Sequence, residues 1–210
     1  YKRLQRNSEL KKKVKDSLIT EQGKLCAYCM CRIPRNDVAV EIAPITIEHF
    51  IPRNPEDGRD IGQGLDYNNL LAVCHGNRGP KGTRHENDLT CDAHRKNTEF
   101  MKINPCDPET LQTITYTLDG KIDATDIDVR KDLVDTLNLN CQTSPLISER
   151  KAALDGLIEE ICTIEDEEGL RTFCGEILDS FQNETGEKTP YVGILIWYLR
   201  QLVAPVDADR

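Results

Sequence analysis

Hydrophobic and polar positions alternate in four distinguishable ways along this chain. Leu10, Val14 and Leu18 recur every four residues among Lys11, Lys12, Lys13 and Lys15, which predicts one apolar stripe on a basic helix within residues 1–24, ended by Gly23. Short β-favouring runs follow at Val38 to Ile42 and Ile45 to Ile47, predicting a hairpin or two short strands ahead of a loop. Thr113 to Leu118, then Asp119-Gly120, then Lys121 to Asp123 read as a second hairpin closed by a tight two-residue turn. From about residue 125 the pattern is helical. Ser148 to Ile164 aligns Leu154, Leu157, Ile158 and Ile161, and 167 to 183 carries Leu170, Phe173, Ile177, Leu178 and Phe181. A third helix runs from near Pro190 to near Val203, with Thr189 as its cap and Pro190 in its first turn. The fold class expected is α+β, in three parts: a basic helix over 1–24, a loop-rich core over 25–105, and a hairpin plus helical bundle over 106–210.

Composition narrows the class. Of 210 residues, 38% are hydrophobic and 30% charged, as in an ordinary globular chain. With 27 basic and 36 acidic side chains the net charge is −9, so any nucleic-acid contact must be local. The charge is segregated: residues 1 to 24 hold eight basic and three acidic side chains, whereas 149 to 187 hold three basic and twelve acidic. The basic helix is read either as a solvated face or as a phosphate-contacting one. The longest apolar run, Tyr191 to Leu199, falls well short of the ~18 residues of a membrane span, and no secretory signal is visible. The chain opens on Tyr1, which suggests a trimmed or processed start. Nine cysteines, an odd and sparse set, suit a cytoplasmic protein with reduced thiols.

Residues 25 to 100 hold all four histidines and five of the nine cysteines. Cys26-Ala-Tyr-Cys29 has the C-x2-C spacing at which two thiolates on one turn share a tetrahedral Zn²⁺. Cys74 and Cys91 are the candidates for the other half, and Cys31 is a nearby thiol that competes for the assignment. The other reading of these thiols is unlinked core cysteines or redox chemistry. Cys106, Cys141, Cys162 and Cys174 read as buried small hydrophobes. Between the two halves of the thiol set, Glu48-His49 ends the run Ile45-Thr46-Ile47: a carboxylate able to hold Mg²⁺ beside an imidazole able to take a proton from water. His75 and His85 read as surface residues.

The order of these features, C-x2-C, Glu48-His49-x2-Pro52, Asn69-Leu70-Leu71, Cys74, then Cys91-Asp92-x-His94, resembles an HNH nuclease with a zinc-supported ββα-metal core over residues 26 to about 97. The resemblance implies that His49 is the general base and that Asn69 orients its imidazole, with Asn68 the near miss. It implies that Glu48, in a place usually held by Asp, binds the catalytic Mg²⁺ or Mn²⁺. The third ligand is Asp92 by register or His94 by residue type. Zn²⁺ on Cys26, Cys29, Cys74 and Cys91 would be structural. Arg53, Arg78, Lys81, Arg84, Arg95 and Lys96 cluster around the motif and are the candidate phosphate contacts.

Ile103-Asn104-Pro105-Cys106-Asp107-Pro108, Thr113 to Tyr116, Asp119 to Ile122, Leu137 to Asn140 and the helix carrying Arg150 look like the PtuB-like subfamily, the HNH nucleases of Septu-type antiphage systems that also occur beside retron reverse transcriptases. That kinship implies a toxic defence effector cutting DNA or tRNA/RNA. Its implied partners are an ABC-type ATPase, PtuA-like, and a retron reverse transcriptase with its RNA/DNA hybrid, docked on the acidic helical half. The alternative from a different class is a zinc-binding interaction module without catalysis, in which Glu48 and His49 merely complete a strand end.

Overall fold

A computed structural model describes residues 6–34, 45–55, 57–58, 64–79 and 85–204. Helix α1, Ser8–Glu21, begins at Asn7, whose side chain accepts from the Leu10 amide. It ends where Gly23 takes φ +62° and its amide reaches the Thr20 carbonyl. The expected stripe is only partly used: Leu18 is buried, Val14 is half-buried, and Leu10 is exposed.

Strands β1, Thr46–His49, and β2, Leu70–Val73, pair antiparallel, with Glu48 opposite Leu71 and His49 opposite Leu70. β-branched residues favour the first strand, and β2 is buried throughout. Val38 to Ile42 lies outside the described residues. Two four-residue strands are marginal alone. The outer edge of β2 is covered by α1: the Gln22 amide accepts from Ala72 N and donates to Ala72 O, both at 2.8 Å. After β2 the chain makes the short helix α2, Cys91–Arg95, which is tied to β1 by Arg95 on Glu48 and on the His49 carbonyl.

Beyond it come the single-turn helix α3, Pro108–Leu111, and the hairpin β3, Ile114–Tyr116, with β4, Ile122–Ala124. The hairpin loop has three residues, not the two that Asp119-Gly120 suggests. Thr117 N bonds Lys121 O, Gly120 N bonds Thr117 O, and Gly120 sits at φ +87° in the left-handed position this loop needs. Arg150, buried, donates from Nε to Gly120 O and from Nη2 to Leu139 O, which pins the loop to the helix beneath it.

Helix α4, Ile127–Lys131, runs on into a π turn over Asp132–Thr136. Three longer helices follow: α5, Leu146–Ile161; α6, Glu167–Gln182; and α7, Val192–Val203. Thr189 does not cap α7. Its amide and hydroxyl are both taken by the Glu184 carboxylate, and Tyr191, at φ +57°, leads into the helix with its amide on Met30 O. Among the four remaining cysteines, Cys141 and Cys174 are buried as expected, but Cys106 and Cys162 are exposed. Cys106 lies in a turn and Cys162 caps α5, places that face water rather than core. No helix among the described residues is long and apolar enough to cross a membrane.

Gly76 marks the tightest approach between β2 and α2. At φ +63°, a Cβ there would lie 2.4 Å from Thr90 O and 2.5 Å from the Ala93 Cβ. Gly76→Ala should therefore cost more than about 1 kcal/mol, read as a lower urea midpoint with an unchanged slope, because both the backbone conformation and the contact forbid a side chain.

Candidate active site and thiol centre

Four thiols define the first half of the site. Cys26 and Cys29 lie on the turn after α1, Cys74 directly follows β2, and Cys91 opens α2; their sulfurs all lie within 4.8 Å of one another. The Cys29–Cys74 and Cys74–Cys91 separations are 3.8 and 3.7 Å. A tetrahedron of ~2.3 Å zinc–sulfur bonds has edges of about 3.8 Å, so the donor set fits such an ion without rearrangement. All four are buried, and backbone amides converge on them: Cys74 N donates to Cys26 Sγ at 3.3 Å and Gly76 N to Cys74 Sγ at 3.4 Å. Cys74 is pulled down to about 5; Cys26 opposes this, but hydrogen bonds from Cys29, Cys31 and Cys91 stabilise its thiolate. Cys31 is buried against the set but is not one of the four. Among the described residues this is the only group of three or more candidate ligands brought so close.

The second half is built at the end of β1. His49 is buried, 6% exposed, and its Nε2 lies 3.3 Å from the carbonyl of Gly64. A carbonyl only accepts, so in the neutral ring the proton sits on Nε2 and Nδ1 is the basic nitrogen. Burial lowers the His49 pKa below its usual 6.5, assisted by Arg53; Gly64 O and Asp92 pull the other way.

Glu48 is buried and its Oε1 meets Arg95 Nη1 at 2.5 Å, with Tyr28 Oη at 3.4 Å. Asp92, on the first turn of α2, lies near enough to act on the charge of the same carboxylate. Desolvation first, and then Asp92, push Glu48 up to about 9, against the pull of Arg95. A buried and a half-buried acid brought near each other suit a divalent cation. Glu48 and Asp92 are a pair, with no third ligand gathered at thiol-like distances among the described residues.

Several expectations from the sequence change here. Arg95 is no phosphate contact. It is 1% exposed and spends its guanidinium inside the protein, on Glu48, Tyr28 Oη, and the carbonyls of His49, Phe50 and Thr98, with Phe100 stacked 4.0 Å away. The α2 geometry explains this: Arg95 lies four residues after Cys91 and three after Asp92, on the inward face. His94 is turned about 200° from Asp92. Its Nδ1 lies 3.0 Å from Thr136 O, so Asp92 and not His94 is brought to Glu48. Asn69 does not bond the imidazole; its amide bridges both backbone groups of Ile51, accepting at 2.7 Å and donating at 3.0 Å, and so fixes the chain just after His49. Lys96 is exposed and paired with Glu86. Arg78 Nη2 stands 3.8 Å from Asp92, and Arg53 is exposed near His49. Lys81 and Arg84 lie outside the described residues. His85 is exposed, as read from the sequence, while His75 is half-buried.

No family model matches the chain. A curated relative does: "Retron Ec83 putative HNH endonuclease" from Escherichia coli, 29% identical over 167 residues, covering 63% of this chain and 61% of that protein. The kinship this supports is with the HNH endonucleases. The chain thus spans about three-fifths of the length of the curated HNH relative it matches.

Tyr28 and Phe100 are the site residues that sequence reasoning missed. Tyr28 sits inside the C-x2-C turn, where attention goes to the thiols, and Phe100 gains its place only by tertiary packing, stacked on Phe50 at 5.7 Å and edge-on to Tyr28 at 5.6 Å. Removing Arg95 should unmask this design. Arg95→Ala should destabilise the fold by about 3–5 kcal/mol, since Glu48 and three carbonyls lose a buried partner. Arg95→Lys should recover little of that in a chemical-denaturation series, because one ammonium cannot span the same five acceptors.

Proposed function

We propose that this protein is a metal-dependent HNH endonuclease that hydrolyses phosphodiester bonds in nucleic acid. The observation that carries the reading is the meeting of His49, Glu48 and Asp92 at the end of one short strand, held over a four-thiol centre. The likeness to an HNH endonuclease of a retron agrees with it.

In this reading Cys26, Cys29, Cys74 and Cys91 hold a structural Zn²⁺, closed to substrate because thiolates fill every position. Glu48 and Asp92 hold Mg²⁺ or Mn²⁺, which supplies Lewis-acid stabilisation of charge on the phosphate and on the departing oxygen. His49 acts from Nδ1: with Nε2 turned to Gly64 O, the ring accepts a proton from the attacking water. Its depressed pKa keeps the ring neutral, and therefore basic, at pH 7. Asn69 is a positioning residue that holds Ile51 and so the strand end. Arg53 and Arg78, both exposed, steady the substrate phosphates, together with Lys81 and Arg84 of the same motif region.

The biological setting proposed is a toxic effector in an antiphage system with an ABC-type ATPase and a retron reverse transcriptase. The retron named in the relative supports this context. The strongly acidic stretch 149 to 187 disfavours nucleic acid and suits a protein partner.

The test is cleavage of duplex DNA and of total tRNA in Mg²⁺ or Mn²⁺. His49→Ala should abolish cleavage by a hundredfold or more while leaving thermal unfolding and zinc content as in the wild type. Equal inertness of both proteins, with and without the ATPase, would favour the non-catalytic module. The rate of the active enzyme should fall as pH drops through a value below 6.5, since protonation of a base with a lowered pKa removes it only on the acid side. Cys26→Ser should instead lose bound metal and solubility, with metal content read by elemental analysis.

A further inference from the structure

The lysines of α1 do not share one fate. Lys13 pairs with Glu9 at 2.9 Å on one side of the helix. On the opposite side Lys11, Lys12 and Lys15 line a groove of about 720 Å³, floored by Ile19 and Ile45. Among the described residues no carboxylate pairs with Lys11 or Lys12, and Lys15 Nζ donates to Ile45 O at 2.9 Å. Asp16 also lines the groove, and Lys24 at its end is neutralised by Glu187 at 2.5 Å. Burial, and then the charge of Lys11, lower the pKa of Lys15.

Placement gives the groove its meaning. Ile45 immediately precedes β1, so the strand that carries Glu48 and His49 starts at the groove. The rise from Ile45 to His49 is about 13 Å. Helix α1 is held to β2 as well, by the Gln22 bridge to Ala72 and by Tyr67 Oη on Glu21 at 2.7 Å. The lysines are therefore a rigid extension of the ββ layer rather than a loose arm.

We propose that this groove seats the phosphate backbone of a base-paired substrate, next to the segment that enters the His49 site. The inference rests on the endonuclease reading above and adds a binding site to it. Lysine is a point charge that reads phosphates and not bases. Among the described residues the groove has no aromatic side chain on which an unpaired base could stack, which favours a duplex over a single strand. The site stands in a chain of net charge −9, where three cations facing one groove are unlike the average surface.

The experiment measures binding of a mixed-sequence DNA duplex of about three helical turns to the full chain carrying His49→Ala, over a series of salt concentrations. Lys11→Ala with Lys12→Ala should weaken binding about tenfold at physiological salt and lower the log–log salt slope by about two. Lys13→Ala, the same charge on the opposite face, should leave both unchanged. In the His49-intact chain the double variant should raise KM and spare kcat. An unchanged slope with wild-type cleavage intact would overturn the groove and leave the endonuclease standing, as would an equal loss in Lys13→Ala or a loss seen only with a single-stranded oligonucleotide. A wild type that neither binds nor cuts would overturn both.

Discussion

Sulfur, rather than hydrocarbon, closes the layer on which the site is built. The sheet under His49 is two strands of four residues, too small to bury much surface or to hold its own register. What joins it to the rest is the gathering of four thiols from three places in the chain: a turn after α1, the exit of β2 and the first residue of α2. Sulfurs at 3.7 and 3.8 Å would repel as thiolates without a cation between them, and amides at Cys74 and Gly76 already lean toward negative charge there. A tetrahedral ion held there would be a strut worth on the order of 10 kcal/mol. Because β1 pairs with β2 and Asp92 is the residue after Cys91, the same strut would set where the two carboxylates stand.

Charge is balanced one layer further in. Burial first, and then the charge of Asp92, work against ionisation of Glu48, and Arg95 opposes them from a position with almost no exposure. The guanidinium binds β1 through Glu48 and the His49 carbonyl, reaches the following loop through Phe50 O, and returns to its own turn through Thr98 O. Phe100 covers it, and Phe100 is placed in turn by the helical half: buried Asp132 accepts from the amides of Met101, Lys102 and Ile103 at 2.8 to 2.9 Å. Leu137 O and Thr136 O, from the same π turn and its end, hold Cys91 N and the His94 ring. The candidate site is thus anchored by residues up to position 137, and a change in α4 or its π turn has a direct mechanical path to Glu48.

The parts of this arrangement that depend on spacing were legible in the amino-acid sequence. A C-x2-C turn can be read because two sulfurs that close must share whatever they bind, and helices α5 and α6 can be read because their apolar residues repeat at the helical period. What escaped depends on direction. Arg95 and Asp92 both look like polar surface in a list of residues, and only the sense of a five-residue helix tells that one points under the strand and the other toward it. His94 was attractive by residue type and is excluded by two residues of helical rotation. Asn69 was read as orienting the His49 ring, but its amide serves the backbone of Ile51. The Asp119-Gly120 turn failed by one residue because Gly120 is required at the end of a three-residue loop and not inside a shorter one. Thr189 lost its capping role to a carboxylate five residues away, a competitor that no local pattern displays.

A net charge of −9 and a phosphate substrate are compatible once distance is considered. At physiological ionic strength a charge on the surface is felt over about 8 Å, so the potential at a groove is set by the groups that line it and not by the sum over the chain. Among the described residues Lys11 and Lys12 lack acidic partners, whereas Lys24, Lys96, Lys102 and Lys151 are each neutralised by a neighbouring carboxylate. The acidic stretch reaches the segment after the basic helix, where Glu187 takes Lys24 and Arg32. Excess acid elsewhere then has a use of its own, since it discourages nucleic acid from settling on faces that lead nowhere. Surface charge in this protein sorts faces, and Lys11 and Lys12 lie beside Ile45, where the strand bearing His49 begins.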